Sequence, residues 1–514
     1  MRALASKLWQ SHRDETIVRK CEQYAQYTLP GMFVDPLQST QKVQHDFQSV
    51  GGLLTNNLAS KLVGALFPAG VPFFKNVPSD ELAAAAKRQG VDMQVVSAQL
   101  AQLDREAAER LFLNAATAKL TRAIKLLIIT GNVLMYREGT TAKFTVWSLR
   151  SFVVQRVANG DWRTIILKQR FQIDELPENL RNDYLAKNQQ AMERMDTNVE
   201  LFTVIEKAPG MLNPRVVVWN EIDGKRCGPE SSYPEHLSPW VLATWNLSDG
   251  EHYGRGLVED FTGDFAKLSL VSEQLGLYEL EALTLLNLVD EAAGGVVDEY
   301  QDSDTGDYVR GKTGAITSYE RGDYNKIAAI RSSLAEVIQR LSAAFMYVGN
   351  TRDAERVTAE EIRATAREAE NTLGGVYSLL AEQLQVPLAY LTMLEVRGDL
   401  LEGLVSKMYK PSIITGIPAL SRAIAVQNLL AATQEAAAII PPLVQLDDRI
   451  DPKKAMNLIY NSRSVDTSLL FKDPEVLAAE AEAKKQAADM AEQASSASLV
   501  SQGATVQDSL QQLG

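Results

Sequence analysis

Gly306-Asp307-Tyr308-Val309-Arg310-Gly311-Lys312-Thr313 fits the phosphate-loop pattern G-x-x-x-x-G-K-[ST]. In a nucleotide-hydrolysing protein the glycines let backbone N–H groups wrap the phosphates, and the lysine reaches the terminal ones. That chemistry needs a buried apolar strand before the loop and a helix after it. Here Asp298, Glu299, Asp302 and Asp304 come first, and their charges would repel a triphosphate. Gly314 and a strand-like run follow Thr313, so no helix dipole would face the phosphates. Asp290, which ends an apolar run, precedes the loop, whereas a metal-binding aspartate would follow it on a later strand. The segment reads as a Gly-rich turn between strands. A nucleotide-driven motor using 306–313 stays as the lesser alternative.

Other chemistry is sparse. The four histidines are His12, His45, His236 and His252, and there is no HExxH. The two cysteines, Cys21 and Cys227, form no CxxC pair, which argues against a zinc site or a disulfide scaffold and suits a reducing compartment. Cys227, His236 and His252 are a remote metal-site candidate on a β-rich stretch; the expectation is no metal. No G-x-S-x-G elbow or Cys/His protease signature occurs. The expectation is a protein without catalytic residues or cofactor, not an enzyme.

The elements that carry these residues explain what the chain is built for. Its 514 residues, 46% hydrophobic and 23% charged, make three or four structural units with sizeable cores. The net charge of −13 is wrong for a basic nucleic-acid coat, since tight duplex binding rests on clustered cations. It suits a surface past which DNA moves without sticking. The N-terminus lacks a signal-peptide core. The greasiest stretch, Leu126 to Met135, is broken by Thr130, Gly131 and Asn132 and is too short to span a membrane. A soluble protein, or part of a soluble assembly, is expected.

The pattern predicts helices over 3–27, 48–66 and 91–129, the last with Leu100, Leu103, Ala107, Leu111, Ala115 and Ala118 as its stripe. Val71-Pro72-Phe73-Phe74 reads as a turn. From 130 to 248 the texture is β: 133–136, 144–147, 152–155, 164–167, 201–206, 215–222 and 240–246, with a polar helical stretch at 174–198. Helix returns over 255–288, with Leu257, Phe261, Phe265, Leu268, Val271 and Leu275 in register, and over 325–347, with Ile327, Ile330, Leu334, Ile338, Leu341 and Phe345. Between them 289–324 is a small Gly/Asp/Tyr-rich module with strand-like pieces at 295–297, 307–310 and 315–317. Two helices of similar length carrying a module at their tip predict a projecting stalk. Since two helices bury only one face against each other, their other faces are expected to pack on neighbouring subunits.

A polar break follows, carrying Arg352, Asp353, Glu355 and Arg356 between two helices where a tight turn would suffice. It is either an exposed connector or a mobile loop reaching into a shared channel. Helix restarts at the capping box Thr358-Ala359-Glu360-Glu361 and runs to about 396, disturbed by Gly374-Gly375 and Pro387. Residues 475–498 form an Ala/Glu/Gln/Lys tract, and 495–514 a Ser/Gln-rich tail.

Ordered along the chain are Ala25-Gln26-Tyr27-Thr28-Leu29-Pro30, Thr55-Asn56-Asn57-Leu58-Ala59-Ser60-Lys61-Leu62 through Phe67-Pro68, and Gly131-Asn132-Val133-Leu134-Met135-Tyr136. Phe152-Val153-Val154-Gln155-Arg156 and Tyr253-Gly254-Arg255-Gly256 with Glu259-Asp260 come next. Then come Glu355-Arg356-Val357-Thr358-Ala359-Glu360-Glu361-Ile362-Arg363 and Leu373-Gly374-Gly375-Val376-Tyr377-Ser378. As an ordered set they resemble the portal, or head-to-tail connector, proteins of short-tailed bacteriophages of the Autographiviridae type. The likeness runs from about 25 to 388 and is diffuse beyond 390.

The resemblance implies an α+β, mainly α-helical portal fold with wing, stem, clip and crown. It assigns 1–254 to the wing (helical 1–130, β-rich 131–254), 255–288 and 325–348 to the stem, and 289–324 to the clip. It makes 349–357 the tunnel loop, 358–410 the long wing helix, and 411–514 the crown and tail. It implies a ring-shaped homo-oligomer, a dodecamer, at one capsid vertex, assembled in the host cytoplasm, with double-stranded DNA passing through its axis. Further implied partners are major capsid and scaffolding proteins, the terminase large subunit, and tail adaptor and nozzle proteins, with no membrane insertion. Packaging ATP would be hydrolysed by the terminase. The expected channel residues are Gly349, Asn350, Thr351, Arg352, Asp353, Glu355 and Arg356, with Arg352 the foremost DNA-facing cation. Arg310, Lys312 and Arg321 are expected to dock partners at the clip. Leu257, Phe261, Phe265, Leu268, Leu334 and Leu341 are expected to pack the stem. A non-ring tail or scaffold adaptor is the other alternative.

Overall fold

In this computed structural model the described residues are 4–34, 45–68, 72–88, 90, 93–113, 115–139, 142–188, 196–208, 214–283, 285–290, 297–304, 306, 308, 312, 314, 316–320, 324–347, 373, 375–398, 409–413, 433–441, 455–456 and 458–459. The chain divides into two units, 1–420 and 421–514. In the second, 433–441 is helical. The fold is mixed α and β, mainly helical.

The first unit opens with α1 (Ala5–His12) and α2 (Glu15–Tyr27). A single helix over 3–27 is not what forms, because Asp14 caps a fresh start. Its carboxylate accepts the N–H groups of Thr16 and Ile17 at 2.9 and 3.3 Å. Next come α3 (Val50–Leu66), β1 (Phe74–Pro78), α4 (Asp80–Arg88), α5 (Met93–Leu111) and α6 (Ala116–Thr130). The stretch expected as one helix over 91–129 is thus two. Arg137 donates to the terminal carbonyls of α5, Arg110 O at 3.0 Å and Leu111 O at 3.4 Å, and Ala115 takes a left-handed φ of 56°. The turn expected at 71–74 gives way to strand at Phe74.

The β region is two antiparallel sheets. One has three strands ordered β3 (Phe144–Trp147), β2 (Asn132–Arg137), β9 (Trp240–Thr244). The other is a meander of β4 (Phe152–Arg156), β5 (Trp162–Gln172), β6 (Asn198–Lys207), β7 (Arg215–Ile222) and β8 (Lys225–Pro234). Side chains alternate along these strands, so the meander is buried on both faces. Val154, Ile165, Leu167, Ile205 and Val216 face the main core. Val153, Ile166, Phe202, Val204 and Trp219 face Ala5, Leu8 and Trp9 of α1. The buried Glu221 fastens α1, both carboxylate oxygens accepting the Ala5 N–H at 3.0 Å. Of the helix expected over 174–198 the described residues show α7 (Glu178–Lys187) and a 3₁₀ turn, and Asn198 already opens β6.

Then follow α8 (Leu257–Asp260), α9 (Thr262–Ala282), β10 (Leu285–Val289), α10 (Val297–Gln301), β11 (Ile316–Glu320) and α11 (Tyr324–Ala344). The helix expected to reach 288 therefore ends at 282, and 285–289 is strand. α10 opens at Val297, the last residue of the strand-like piece expected at 295–297, whose first two residues lie outside the described ones. α12 (Val376–Leu380), a π turn (Ala381–Gln385) and α13 (Val386–Val396) precede β12 (Tyr409–Ile413). β12 pairs antiparallel with β1, so it crosses the boundary expected at 410/411 and keeps 411–413 with the first unit.

Candidate functional site

The helices α9 and α11 run antiparallel. Asp264 receives Arg340 through two bonds at 2.6 and 3.0 Å, Glu279 receives Arg331 at 2.7 Å, and Lys267 donates to Ser333 at 3.1 Å. The same register carries into the tip, where β10 pairs antiparallel with β11 from Leu285↔Glu320 to Val289↔Ile316. The result is a stalk whose two helices, each of 21 residues or about 30 Å, flank a strand pair along the chain.

The stalk root is sunk in the main core. Phe345 stands edge-on to Phe261 and Phe265, with ring centroids 6.1 and 5.8 Å apart, and Tyr27 stacks on Phe265. Phe265, Leu268, Leu334 and Leu341 are buried, as is Leu257 on α8; Phe261 is partly so. All six belong to the subunit's own main core. The expectation that Asp at Leu268 or Leu334 would report on ring contacts is corrected, because such a charge would first break the subunit's own core.

The face that finds no partner is a different one. Leu270, Leu277, Leu280 and Leu283 are 61, 57, 66 and 77% exposed. On α9 Leu270, Leu277 and Leu280 lie largely opposite Leu268, Val271 and Leu275, which pack inward, and Leu283 follows at the helix cap. Scattered exposed leucines need no explanation, but several along one side of one helix form a patch. The spacing of three between 277, 280 and 283 was readable in the sequence beside the stronger inward stripe.

At the tip Lys312 is exposed. Arg310 and Arg321 lie outside the described residues, as do all of 349–357, with Arg352, and the capping box at 358. The element before the phosphate-loop letters is the helix α10, and β11 follows them at Ile316. This inverts the strand–loop–helix order that phosphate binding requires.

No group of metal-ligating side chains occurs among the described residues. Cys227 sits in a small satellite core with Leu180 and Tyr184, His236 lies edge-on to Tyr390, and His252 accepts the Arg156 N–H at 3.2 Å. Burial raises the thiol pKa of Cys21 to about 12 and pushes that of Cys227 up as well, leaving both inert. A groove of about 920 Å³ beside β9 has its polar groups engaged: Lys207 with Glu235, Gln383 with the Thr244 N–H. No described helix is long and apolar enough to cross a membrane.

Comparison with known proteins identifies the family. The family model described as bacteriophage head to tail connecting protein matches residues 2–470. The portal protein of Pseudomonas phage phiKMV is 51% identical over 495 residues, 96% of each chain. That of Escherichia phage T7 is 29% identical over 468 residues, 88% of this chain and 84% of the other. A neck structure of an empty gene transfer agent particle aligns with 75% of this chain and 86% of that one, at 11% identity and a TM-score of 0.38. With a family model spanning nearly its whole length and a relative of this identity and coverage, the chain belongs to the bacteriophage head-to-tail connecting, or portal, proteins: a structural component of the virion's portal vertex, not an enzyme.

Proposed function

We propose that the chain forms a closed ring of identical subunits, twelve by the family resemblance, through whose axis DNA is packaged and ejected. The observation that carries this reading is the exposed leucine face of α9. Leucines held out to water on one side of a stalk are costly unless covered, at roughly 25 cal/mol per Å² of apolar surface. In a ring each subunit's stalk lies beside its neighbour's, so one patch repeated by rotation is covered on every copy.

The two units and their parts then take the roles of wing (1–254), stem (α9 and α11), clip (the β10–β11 tip with α10), tunnel loop (349–357), long wing helix and crown. The acidic balance supports passage: a wall that does not neutralise phosphates releases few counterions and holds DNA weakly. Arg352 and Arg356 on the tunnel loop would touch phosphates transiently, with Asp353 and Glu355 offsetting the attraction. Lys312, Arg310 and Arg321 at the clip would meet the terminase large subunit during packaging and tail adaptor and nozzle proteins afterwards. Major capsid and scaffolding proteins would surround the wing.

Deleting 300–315 tests the clip: heads form but do not fill, whereas normal filling removes the docking role. Shortening 349–355 to a minimal turn tests the loop: rings assemble and DNA enters, but filled heads leak or eject poorly. Wild-type retention and ejection would reduce the loop to a connector.

A further inference from the structure

The second stalk helix ends in an unusual way. The Met346 N–H donates to Ala343 O at 3.2 Å and the Tyr347 N–H to Ser342 O at 2.7 Å, the paired bonds of a Schellman stop. The residue that must be left-handed in such a stop is Met346, with φ +54°, and its side chain is buried. Glycine normally fills that place, because any Cβ disfavours it. Gly349 stands only three residues further on and would suit the stop better.

What favours the earlier stop is α3. Lys61 Nζ donates to the Met346 carbonyl at 2.5 Å, and Asn57 Nδ2 reaches the same oxygen at 3.3 Å and Phe345 O at 3.5 Å. Asn57 and Lys61 are four residues apart and so lie on one face of α3. Lys61 has no carboxylate partner among the described residues, so its charge is directed at the negative end of α11. Neither contact serves the core that α3 builds with Leu54, Leu58 and Leu62.

We propose that Asn57 and Lys61 are positioning residues that set where the second stalk helix stops, holding it at Phe345 against the stop that Gly349 offers. Moving the stop from Met346 to Gly349 would lengthen the helix by three residues, about 4.5 Å, and turn the departing chain by most of a revolution. The position of the stop does not depend on the proposed ring. Its consequence does: in a ring every copy of the stop lies at one height around the axis.

The test is the structure of the purified full chain carrying Lys61→Met, Lys61→Arg, Met346→Gly, or Lys61→Met with Met346→Gly. It is read at the end of α11, by electron microscopy of assembled particles or by crystallography of the subunit. With Lys61→Met the helix is expected to run past Phe345 in most copies. Lys61→Arg keeps a cation and should keep the stop. Met346→Gly, which fits the left-handed place without cost, should hold the stop alone and restore it in the double variant. A Lys61→Met helix still ending at Phe345 overturns the proposal. So does loss of the stop in Lys61→Arg or in Met346→Gly alone. If Lys61→Met does not fold, the double variant decides: recovery with the stop at Phe345 supports the proposal, and failure to recover overturns it.

Discussion

The side-chain amide of Asn132 pairs with the backbone of Gly254 in both directions. Its Oδ1 accepts the Gly254 N–H at 2.8 Å and its Nδ2 donates to the Gly254 carbonyl at 2.7 Å. The two residues are 122 positions apart and belong to the segments Gly131-Asn132 and Tyr253-Gly254-Arg255-Gly256. Those segments cross at backbone distance. A Cβ on Gly131 would lie 2.4 Å from the Arg255 carbonyl carbon, and one on Gly256 would lie 2.6 Å from Ile128 O. The crossing joins the end of α6 to the loop that starts α8 and the stalk, so it fixes the stalk's root to the β region.

Asn132→Ala would leave a buried N–H and a buried C=O of Gly254 without partners. At about 1–3 kcal/mol per unmet group, the cost is about 2–6 kcal/mol. Gly254→Ala would place a Cβ 2.9 Å from both Asn246 O and Gly131 O and should cost at least as much. Denaturant midpoints of the two variants check this, and a shift within error of wild type for Asn132→Ala would show that the crossing is not held by this pair.

Arg137 stops α5, and Glu395 on α13 holds Arg137 with two bonds at 2.6 and 3.0 Å, both side chains fully buried. Glu395→Ala would leave the guanidinium buried without its counter-charge, at about 3–5 kcal/mol. The double variant Arg137→Met with Glu395→Leu should be markedly less damaging than Glu395→Ala alone. Thermal melts of the two variants beside the wild type compare the losses directly; equal losses would contradict the pairing.

His12 lines a cavity of about 640 Å³ with Arg13, Lys20, His252 and Arg255, beside Asp14, Glu15, Glu251 and Glu259. Burial, and then the neighbouring His252, lower its pKa below the usual 6.5. The folded state therefore resists a proton that the unfolded chain takes up. The stability this contributes is full above about pH 6.5 and is lost as pH falls through the lowered folded value. His12→Gln should flatten the decline of melting temperature on acidification below pH 6.5. An unchanged slope would mean that other groups set it.

Strands β2 to β7 and β9 were legible because alternation and turn residues such as Asn159-Gly160 mark them locally, whereas β1, β8 and β12 were not expected. The helix ends at Tyr27, Leu66 and Val396 were legible too, but two other stops were not. α5 ends without Gly or Pro because Arg137, 26 residues on, meets its last carbonyls. α11 ends at Ala344 with its left-handed stop at a methionine, Met346, because Lys61, 285 positions away, meets the carbonyl there. A charge arriving from a distant element leaves no trace in the local pattern. Leu285–Val289 was hidden for another reason: Leu-Leu-Asn-Leu-Val after a helical stripe satisfies either period over so short a run. The inward stripe of α9 is the stronger signal, and the expectation that the other face meets a neighbour named none of the leucines that line it. The loop 349–357 stays an expectation of sequence alone.

The two faces of α9 should respond differently to charge. Leu268→Asp puts a carboxylate into the subunit's own core and should cost about 3 kcal/mol or more, giving little soluble protein. Leu277→Glu with Leu280→Glu adds charge where the subunit is already exposed. It should leave the secondary structure and the subunit's fold intact while weakening association by tenfold or more, about 1.4 kcal/mol. Circular dichroism and sedimentation velocity separate the two outcomes. Unaltered sedimentation of the Leu277/Leu280 variant would remove α9 from the interface.

The most direct measurement is electron microscopy of the purified wild-type chain, with the particle mass determined in parallel. Particles with rotational symmetry, an axial hole and the leucine face of α9 covered by the adjacent stalk are the expected result, with a mass that is an integral multiple of 56.6 kDa. A monodisperse monomer, or a closed particle without an axial channel, would contradict the ring.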